Sequence, residues 1–170
     1  MPINLTCIYI YEEKVRDCIR KSKYSQKEFM ALKRLSFDGV NIAYEWGLDY
    51  DGFVVVPIPI SKHRRKKRGF NQVDVIARSF SLRFKLRVDN SILIRVKNTK
   101  TQHGLSRSAR FRNVSGSFEV KKDLSGKKIL ILDDICTTGA TFLTASRALY
   151  EAGASEVRCF ALSKKLRELV

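Results

Sequence analysis

Residues 127–141, KKILILDDICTTGAT, set an apolar run, two adjacent carboxylates and a hydroxyl-rich turn in immediate succession. Ile129, Leu130, Ile131 and Leu132 form the kind of run that builds a strand covered on both faces of a parallel sheet. Asp133 and Asp134 then fall at the carboxyl end of that strand, where open α/β sheets receive their ligands. Cys136, Thr137, Thr138, Gly139, Ala140 and Thr141 follow, with successive backbone N–H groups, three hydroxyls and a glycine that lets a ligand approach the main chain. A helical pattern over 142–150 begins directly after them. A turn at a helix N-terminus attracts anions, because its N–H groups lack intrahelical partners and the helix dipole favours negative charge. The succession suits a pocket for a phosphorylated sugar.

Two other chemistries use an apolar run that ends in acid, and each needs something this chain lacks. A P-loop nucleotide hydrolase would carry the run as its magnesium-holding strand and requires G-x-x-x-x-G-K-[ST] upstream. That string is absent. A phospho-receiver domain would need most of a doubly wound domain downstream, whereas 36 residues follow Asp134, enough for one helix and one strand.

A second anion-attracting stretch, 54–72, reads VVVPIPISKHRRKKRGFNQ. Val54 to Val56 predict a buried β-branched strand, and Pro57 and Pro59 end its ladder pairing and stiffen the exit. An anion loop here, beside the first, would suit a ligand with phosphates at both ends. Taken alone, 62–68 equally fits a solvated charge run or a general nucleic-acid patch. Asn71 is placed to cap a helix through Val75, Ile76, Ala77 and Phe80. The net charge of +16 is unevenly spread: residues 62–112 hold sixteen basic and two acidic side chains, 1–61 hold eight of each, and 113–170 hold nine and seven. Such a field draws polyanions by long-range attraction that salt weakens. Pyrophosphate and nucleic acid both answer to it.

The elements that must position these residues can be read from periodicity. At 170 residues and 44% apolar content, the chain can bury roughly 70% of the surface its unfolded form exposes. This predicts one domain over 1–170, with 1–50 as N-terminal hood and edge elements and 51–170 as core. Ile3, Leu5, Cys7 and Tyr9 alternate as in an edge strand, and 12–21 reads as a short helix with Val15, Cys18 and Ile19 inward. Residues 26–46 carry a longer amphipathic pattern whose aromatics, Trp46 included, are expected in packing. Residues 91–96 are a strand candidate; strands over 128–132 and 156–162 flank a helix over 139–151 that Gly153 stops. Residues 97–116 lack apolar periodicity and predict a long mobile loop. The fold class is α/β, a central mostly parallel sheet flanked by helices. No run approaches the roughly 18 apolar residues of a membrane span, and MPINLT lacks the features of a secretory signal. Cys7, Cys18, Cys136 and Cys159 are scattered singly and read as reduced thiols of a cytoplasmic protein. His63 and His103 have no ligand constellation around them.

In order along the chain, PIPISKHRRKKRGFNQ, then Arg95, Thr99, Gln102, Leu105, Arg110, Asn113, Gly116 and Phe118, then DDICTTGAT, resemble the ComF family of phosphoribosyltransferase-like proteins. The last of these strings is similar to the phosphoribosyl pyrophosphate motif of type I phosphoribosyltransferases. The resemblance implies a type I phosphoribosyltransferase-like fold with a small N-terminal hood and a mobile loop. It implies phosphoribosyl pyrophosphate as ligand, with Asp133 and Asp134 on the ribose hydroxyls at the catalytic centre and Cys136, Thr137, Thr138, Gly139, Ala140 and Thr141 around the 5′-phosphate. Pro57, Ile58, Pro59 and Arg68 fall to the pyrophosphate. Mg2+ is expected on the substrate, held mainly by pyrophosphate oxygens and water, with no metal ligand from the protein. Arg64, Arg65, Lys66, Lys67, Arg95, Arg107, Arg110 and Arg112 are candidates for closing the site or tracking a nucleic-acid backbone. The family is associated with natural competence, which implies single-stranded DNA and proteins of the DNA-uptake machinery as partners; relatives of the general fold often form homodimers. Its usual form begins with a cysteine-rich zinc ribbon that this sequence does not show, either because this member has none or because the sequence begins after it, so zinc is not carried over.

Loss of pyrophosphate from the ribose C1 demands stabilisation of an oxocarbenium-like sugar and an anionic leaving group. If the strand continues through Asp133 and Asp134, alternation sends their side chains to opposite faces, so they are not expected as a proton-sharing pair. Three functions fit: a ComF-type protein binding the pyrophosphorylated sugar and DNA, a nucleobase phosphoribosyltransferase of purine or pyrimidine salvage, and a nucleic-acid-binding module that has lost the chemistry.

Overall fold

The β-branched and apolar runs at 53–57, 128–136 and 156–164 become the inner strands of one parallel sheet, because each is apolar on both faces and can be covered twice. The computed structural model describes residues 4–22, 26–96 and 116–166. In chain order the elements are β1 (Leu5–Ile10), α1 (Glu13–Lys21), α2 (Gln26–Glu45), β2 (Phe53–Pro57), α3 (Lys62–Arg68), α4 (Val73–Phe84), β3 (Arg87–Val88), β4 (Leu93–Arg95), β5 (Phe118–Val120), β6 (Lys128–Cys136), α5 (Ala140–Glu151) and β7 (Glu156–Lys164). The sheet runs β1-β7-β6-β2-β3 with every neighbouring pair parallel. β4 and β5 form a separate antiparallel pair, Leu93 opposite Val120 and Arg95 opposite Phe118.

Two apolar clusters sandwich the sheet. Leu130 and Leu132 of β6 join Phe160 and Leu162 of β7 against buried residues of α1, α2 and α4, including Ile19, Leu32, Val40, Ile76 and Phe80. Ile129 and Ile131 point the other way, with Val157, Cys159 and Ala161, onto Phe142, Ala145 and Leu149 of α5. The predicted α/β architecture and edge strand stand, as do the two N-terminal helices.

Three expectations are corrected, and one strand was missed. β6 does not stop at Leu132 but runs through both aspartates to Cys136, because β7 is equally long and keeps pairing it: Asp133 with Ala161, Ile135 with Ser163 and Cys136 with Lys164. The basic stretch 62–68 is a helix rather than a loop. Ser61 caps it, accepting the Arg64 N–H at 3.4 Å, and Gly69 in the left-handed region (φ 79°) ends it by donating its N–H to the Arg65 carbonyl at 2.8 Å. Trp46 is not packed: it is 59% exposed, and Met30, Phe37 and Tyr44 also face outward. α2 instead buries Leu32, Ser36, Gly39, Val40 and Ala43. A Cβ on Gly39 would stand 2.9 Å from Leu162 Cδ1, so the small residues set the contact face and the large ones are left over. Finally, β5 went unpredicted, since a three-residue strand is too short to declare a period. Of the predicted mobile loop, residues 97–115 lie outside the described residues.

Candidate functional site

The winding of the sheet locates a crevice before any side chain is considered. β2 continues through α3 and α4 to β3 on one side, whereas β6 continues through α5 to β7 on the other. The direction therefore reverses between β2 and β6, and open α/β sheets take their ligands beyond the carboxyl ends at such a point. Pro57 is in register with Leu132, and the Ile58 N–H donates to the Leu132 carbonyl at 2.8 Å. The two strand exits singled out in the sequence thus lie side by side. A larger cavity, about 680 Å³ between α1 and α2, has mixed charge and takes no residue from either exit, so we do not place the chemistry there.

Asp133 and Asp134 occupy the β6 side of this crevice, both partly buried. An Asp133 carboxylate oxygen bends back to accept the Asp134 N–H at 2.9 Å. Protein crowding first, and then the neighbouring Asp134 carboxylate, push the Asp133 carboxyl well above the usual range, against the opposing charge of Arg95. The strand does run through both residues, the condition on which their side chains were expected to point to opposite faces, and the Asp134 charge still reaches the Asp133 carboxyl. Tyr11, just past β1, is tied in as well, its phenol raised by burial and then by Asp134.

The raised Asp133 value has a sign. The folded state binds this proton more tightly than the unfolded state, so stability is lost as pH rises from the ordinary aspartate range through the raised value. Urea titrations across that window should show folding stability falling with pH, and Asp133→Asn should flatten the fall. A ligand that donates hydroxyls to the carboxylate would expel the proton.

Cys136, Thr137, Thr138, Gly139, Ala140 and Thr141 carry the chain from β6 into α5. Gly139 caps the helix with φ 76°, a conformation open to glycine and costly for residues with a Cβ. The Ala140 N–H donates to Thr138 Oγ1 at 3.4 Å, and the Leu143 N–H makes the first helical bond, to the Gly139 carbonyl, at 2.9 Å. The turn is half-buried at Thr137, Thr138, Gly139 and Thr141 and so remains reachable.

The R-G-F-N-Q string turns out to brace the site from behind. Asn71, buried, donates from Nδ2 to the Ile58 carbonyl at 3.0 Å and accepts the Val73 N–H at 3.4 Å, joining the P-x-P exit to the start of α4. Gln72, equally buried, donates to the Ile19 carbonyl at 2.8 Å and to Ser22 Oγ at 2.7 Å, clasping the end of α1. Phe70 packs edge-on to Phe29 of α2, centroids 5.1 Å apart. Asn71→Ala would leave a buried carbonyl unpaired and should cost about 1–3 kcal/mol of stability in urea denaturation.

Arg95 was grouped with the mobile loop, yet it sits at the crevice. Its Nη1 donates to the Pro59 carbonyl at 3.4 Å, its guanidinium lies 5.3 Å from the Phe118 ring centre, and Asp133 feels its charge. With Lys62 and Lys121 it lines a cavity of about 300 Å³, completed by Ile94 and Val96. Lys121 escaped the sequence reading, because only the β4–β5 pairing brings it near. On α3, Lys62, Arg65 and Lys66 are exposed, whereas Arg64 and Arg68 are half-buried. Burial, then the charge of Arg68, lower the Arg64 guanidinium from its usual value. Arg107, Arg110, Arg112 and the side chain of Lys67 lie outside the described residues.

The Phosphoribosyl transferase domain family matches residues 66–169. The chain belongs to that family, and its fold is the type I phosphoribosyltransferase-like α/β fold. More narrowly it is a ComF-family member: it is 31% identical over 172 residues to "Competence protein ComFC" of Bacillus subtilis (strain 168), covering 90% of this chain and 69% of that protein. It is also 31% identical over 113 residues to "Competence protein F" of Haemophilus influenzae and 32% identical over 112 residues to "DNA utilization protein YhgH" of Escherichia coli (strain K12). Those matches cover 65% and 66% of this chain and 49% of each relative, so they span about half the length of those proteins. Among solved structures, a glutamine phosphoribosylpyrophosphate amidotransferase from B. subtilis, complexed with ADP and GMP, aligns with TM-score 0.50 and 19% identity over 77% of this chain and 26% of that chain. That likeness concerns the fold alone. No helix among the described residues is long and apolar enough to cross a membrane.

Proposed function

We propose that this chain binds phosphoribosyl pyrophosphate with Mg2+ at the β2–β6 switch point and engages single-stranded DNA through α3 and the neighbouring cations, acting in DNA uptake. The observation that carries the reading is the pairing of the two exits, Pro57 beside Leu132, which sets an amide turn and two carboxylates next to a basic rim. In this reading the turn 136–141 holds the 5′-phosphate through main-chain N–H groups. Asp133 and Asp134 accept hydrogen bonds from the ribose hydroxyls, and Pro57, Ile58 and Pro59 with Arg68 face the pyrophosphate, within the field of Arg95, Lys62 and Lys121. The described residues include no group of three or more His, Cys, Asp or Glu fit to hold an ion alone, and Mg2+ rides on hard pyrophosphate oxygens and water. When bound, it neutralises charge on the leaving group. The relatives named for competence and DNA utilization favour a role with DNA, and the uptake-machinery proteins and a homodimer belong to the same proposal.

A second reading, a nucleobase phosphoribosyltransferase of salvage, is favoured by the raised Asp133 carboxyl, since groups that trade protons in catalysis are often held in this way. Calorimetric titration with Mg2+ and phosphoribosyl pyrophosphate, with and without a short DNA strand, separates the two. The proposal expects binding of both ligands. The logarithm of the DNA affinity should fall against log salt with a slope near about −3 if α3 supplies about four phosphate contacts. Pyrophosphate release with a free base, and no DNA affinity, would install the salvage reading instead; no binding of the sugar at all would remove both.

A further inference from the structure

The large side chains that α2 leaves outside form a pattern. Met30 is 57%, Phe37 49% and Tyr44 46% exposed, and they recur every seven residues, which brings them to one face of the helix. Lys33, also exposed, falls on the same face, three residues after Met30 and four before Phe37. At a rise of 1.5 Å per residue the row is about 21 Å long. The opposite side of α2 is already filled by Leu32, Ser36, Gly39, Val40 and Ala43, so the row is surplus to the core. A contiguous apolar row left in water marks a place where a protein meets a partner.

The surroundings of the row identify the kind of partner. α2 and α4 lie side by side in the same direction, since Phe29 meets Phe70 with ring centres 5.1 Å apart at one end and Tyr44 meets Phe84 at 5.4 Å at the other. Phe70 stands two residues beyond α3, and Met30 follows Phe29, so the basic helix opens onto the start of the row. At the far end the Arg83 guanidinium lies 3.4 Å from the centre of the Tyr44 ring, and Arg83 is itself exposed. Among the described residues no carboxylate pairs with Lys33 or Arg83. Arg34, by contrast, is paired with Asp38 at 2.8 Å, and Asp38 and Glu45 sit roughly a quarter-turn round the helix from the row. Flat apolar side chains interleaved with unneutralised cations suit bases carried on a phosphate backbone. A second copy of this chain suits them less: two-fold pairing of the row would set Lys33 and Arg83 of both molecules in one interface, on chains that carry +16 each.

We propose that the outer face of α2, from Met30 through Phe37 to Tyr44 and its partner Arg83, is a stacking track for the bases of single-stranded DNA. The inference rests on the DNA reading given above and extends it from the phosphates to the bases. α3 holds the backbone by charge, a contact that salt weakens. The track holds bases by stacking on Phe37 and on the Tyr44–Arg83 pair, a contact that releases no counterions. Every base has a π-face, so the track accepts any sequence. A duplex keeps its bases stacked on one another and gains only the charge term.

The test follows the fluorescence anisotropy of a labelled oligothymidine, and of an abasic strand of the same length and charge, titrated with the full chain over a range of salt. Phe37→Ala should weaken oligothymidine binding about 5- to 150-fold and leave the slope of log affinity against log salt unchanged. Phe37→Trp should restore the affinity. The parent should bind the abasic strand at least about fivefold more weakly than oligothymidine, and Phe37→Ala should make no difference to the abasic strand. If the alanine variant does not fold, the comparison of the two strands on the parent decides. Equal binding of both strands, or oligothymidine affinity untouched by Phe37→Ala, would overturn the track while leaving the phosphate contacts of α3 in place. A dimer in sedimentation that Phe37→Ala dissolves, with DNA affinity unchanged, would give the row to a second copy. No binding of either strand by the parent would remove the DNA reading itself, and the track with it.

Discussion

Replacing Asp133 and Asp134 together with asparagine should weaken binding of Mg2+ and phosphoribosyl pyrophosphate by roughly a hundredfold or more. Each carboxylate accepting a ribose hydroxyl makes a charge-assisted hydrogen bond of about 1.5–3 kcal/mol. Losing two of them removes about 3–6 kcal/mol, or about 10²- to 10⁴-fold in affinity. The substitution conserves shape, so the turn 136–141 and its amides stay in place and residual affinity for the phosphate end remains. The fold should not suffer, because the Asp133 carboxyl is held unfavourably in the free protein and asparagine needs no proton there. Calorimetry with a thermal melt on the same sample separates the two effects. Unchanged affinity in a folded variant would take the ribose away from these carboxylates.

Phe80→Ala should be the most damaging single change to stability, at about 3–5 kcal/mol, the range for removing a fully buried aromatic. Phe80 has no exposed surface and meets the rings of Phe160 at 4.7 Å, Phe84 at 5.3 Å and Tyr50 at 5.6 Å between centroids. It lies on the α4 side of the sheet with Leu130 and Leu132, the residues that fix the strand leading to the aspartates. For a chain of this size the melting temperature should drop by on the order of 10 °C. Below the new transition, sugar binding should persist, since Phe80 touches the scaffold rather than the ligand. A variant that melts like the parent would contradict the packing account.

What the sequence made legible is what short-range physics determines. The β6 run, the turn into α5 and the β2 run with its prolines declare themselves within a dozen residues, and the parallel sheet follows from their two-sided apolarity. What it hid depends on partners far along the chain. α3 looked like a charged loop because nothing in KHRRKKR has an apolar period; Ser61 and Gly69 at its ends were the available signal. Asn71 was readable as a helix cap, but neither it nor Gln72 as the brace that reaches Ile58 and Ile19, because those bonds span 13 and 53 residues. Arg95 reached the crevice only once β4 had paired with β5.

The most direct test is amide NMR of the folded chain during titration with phosphoribosyl pyrophosphate and Mg2+, following the backbone N–H signals of residues 137–141. The account predicts that Thr137, Thr138, Gly139 and Thr141 shift together and saturate with the calorimetric affinity, while amides of α1 and α2 stay still. Saturating shifts elsewhere, with those four unmoved, would contradict it.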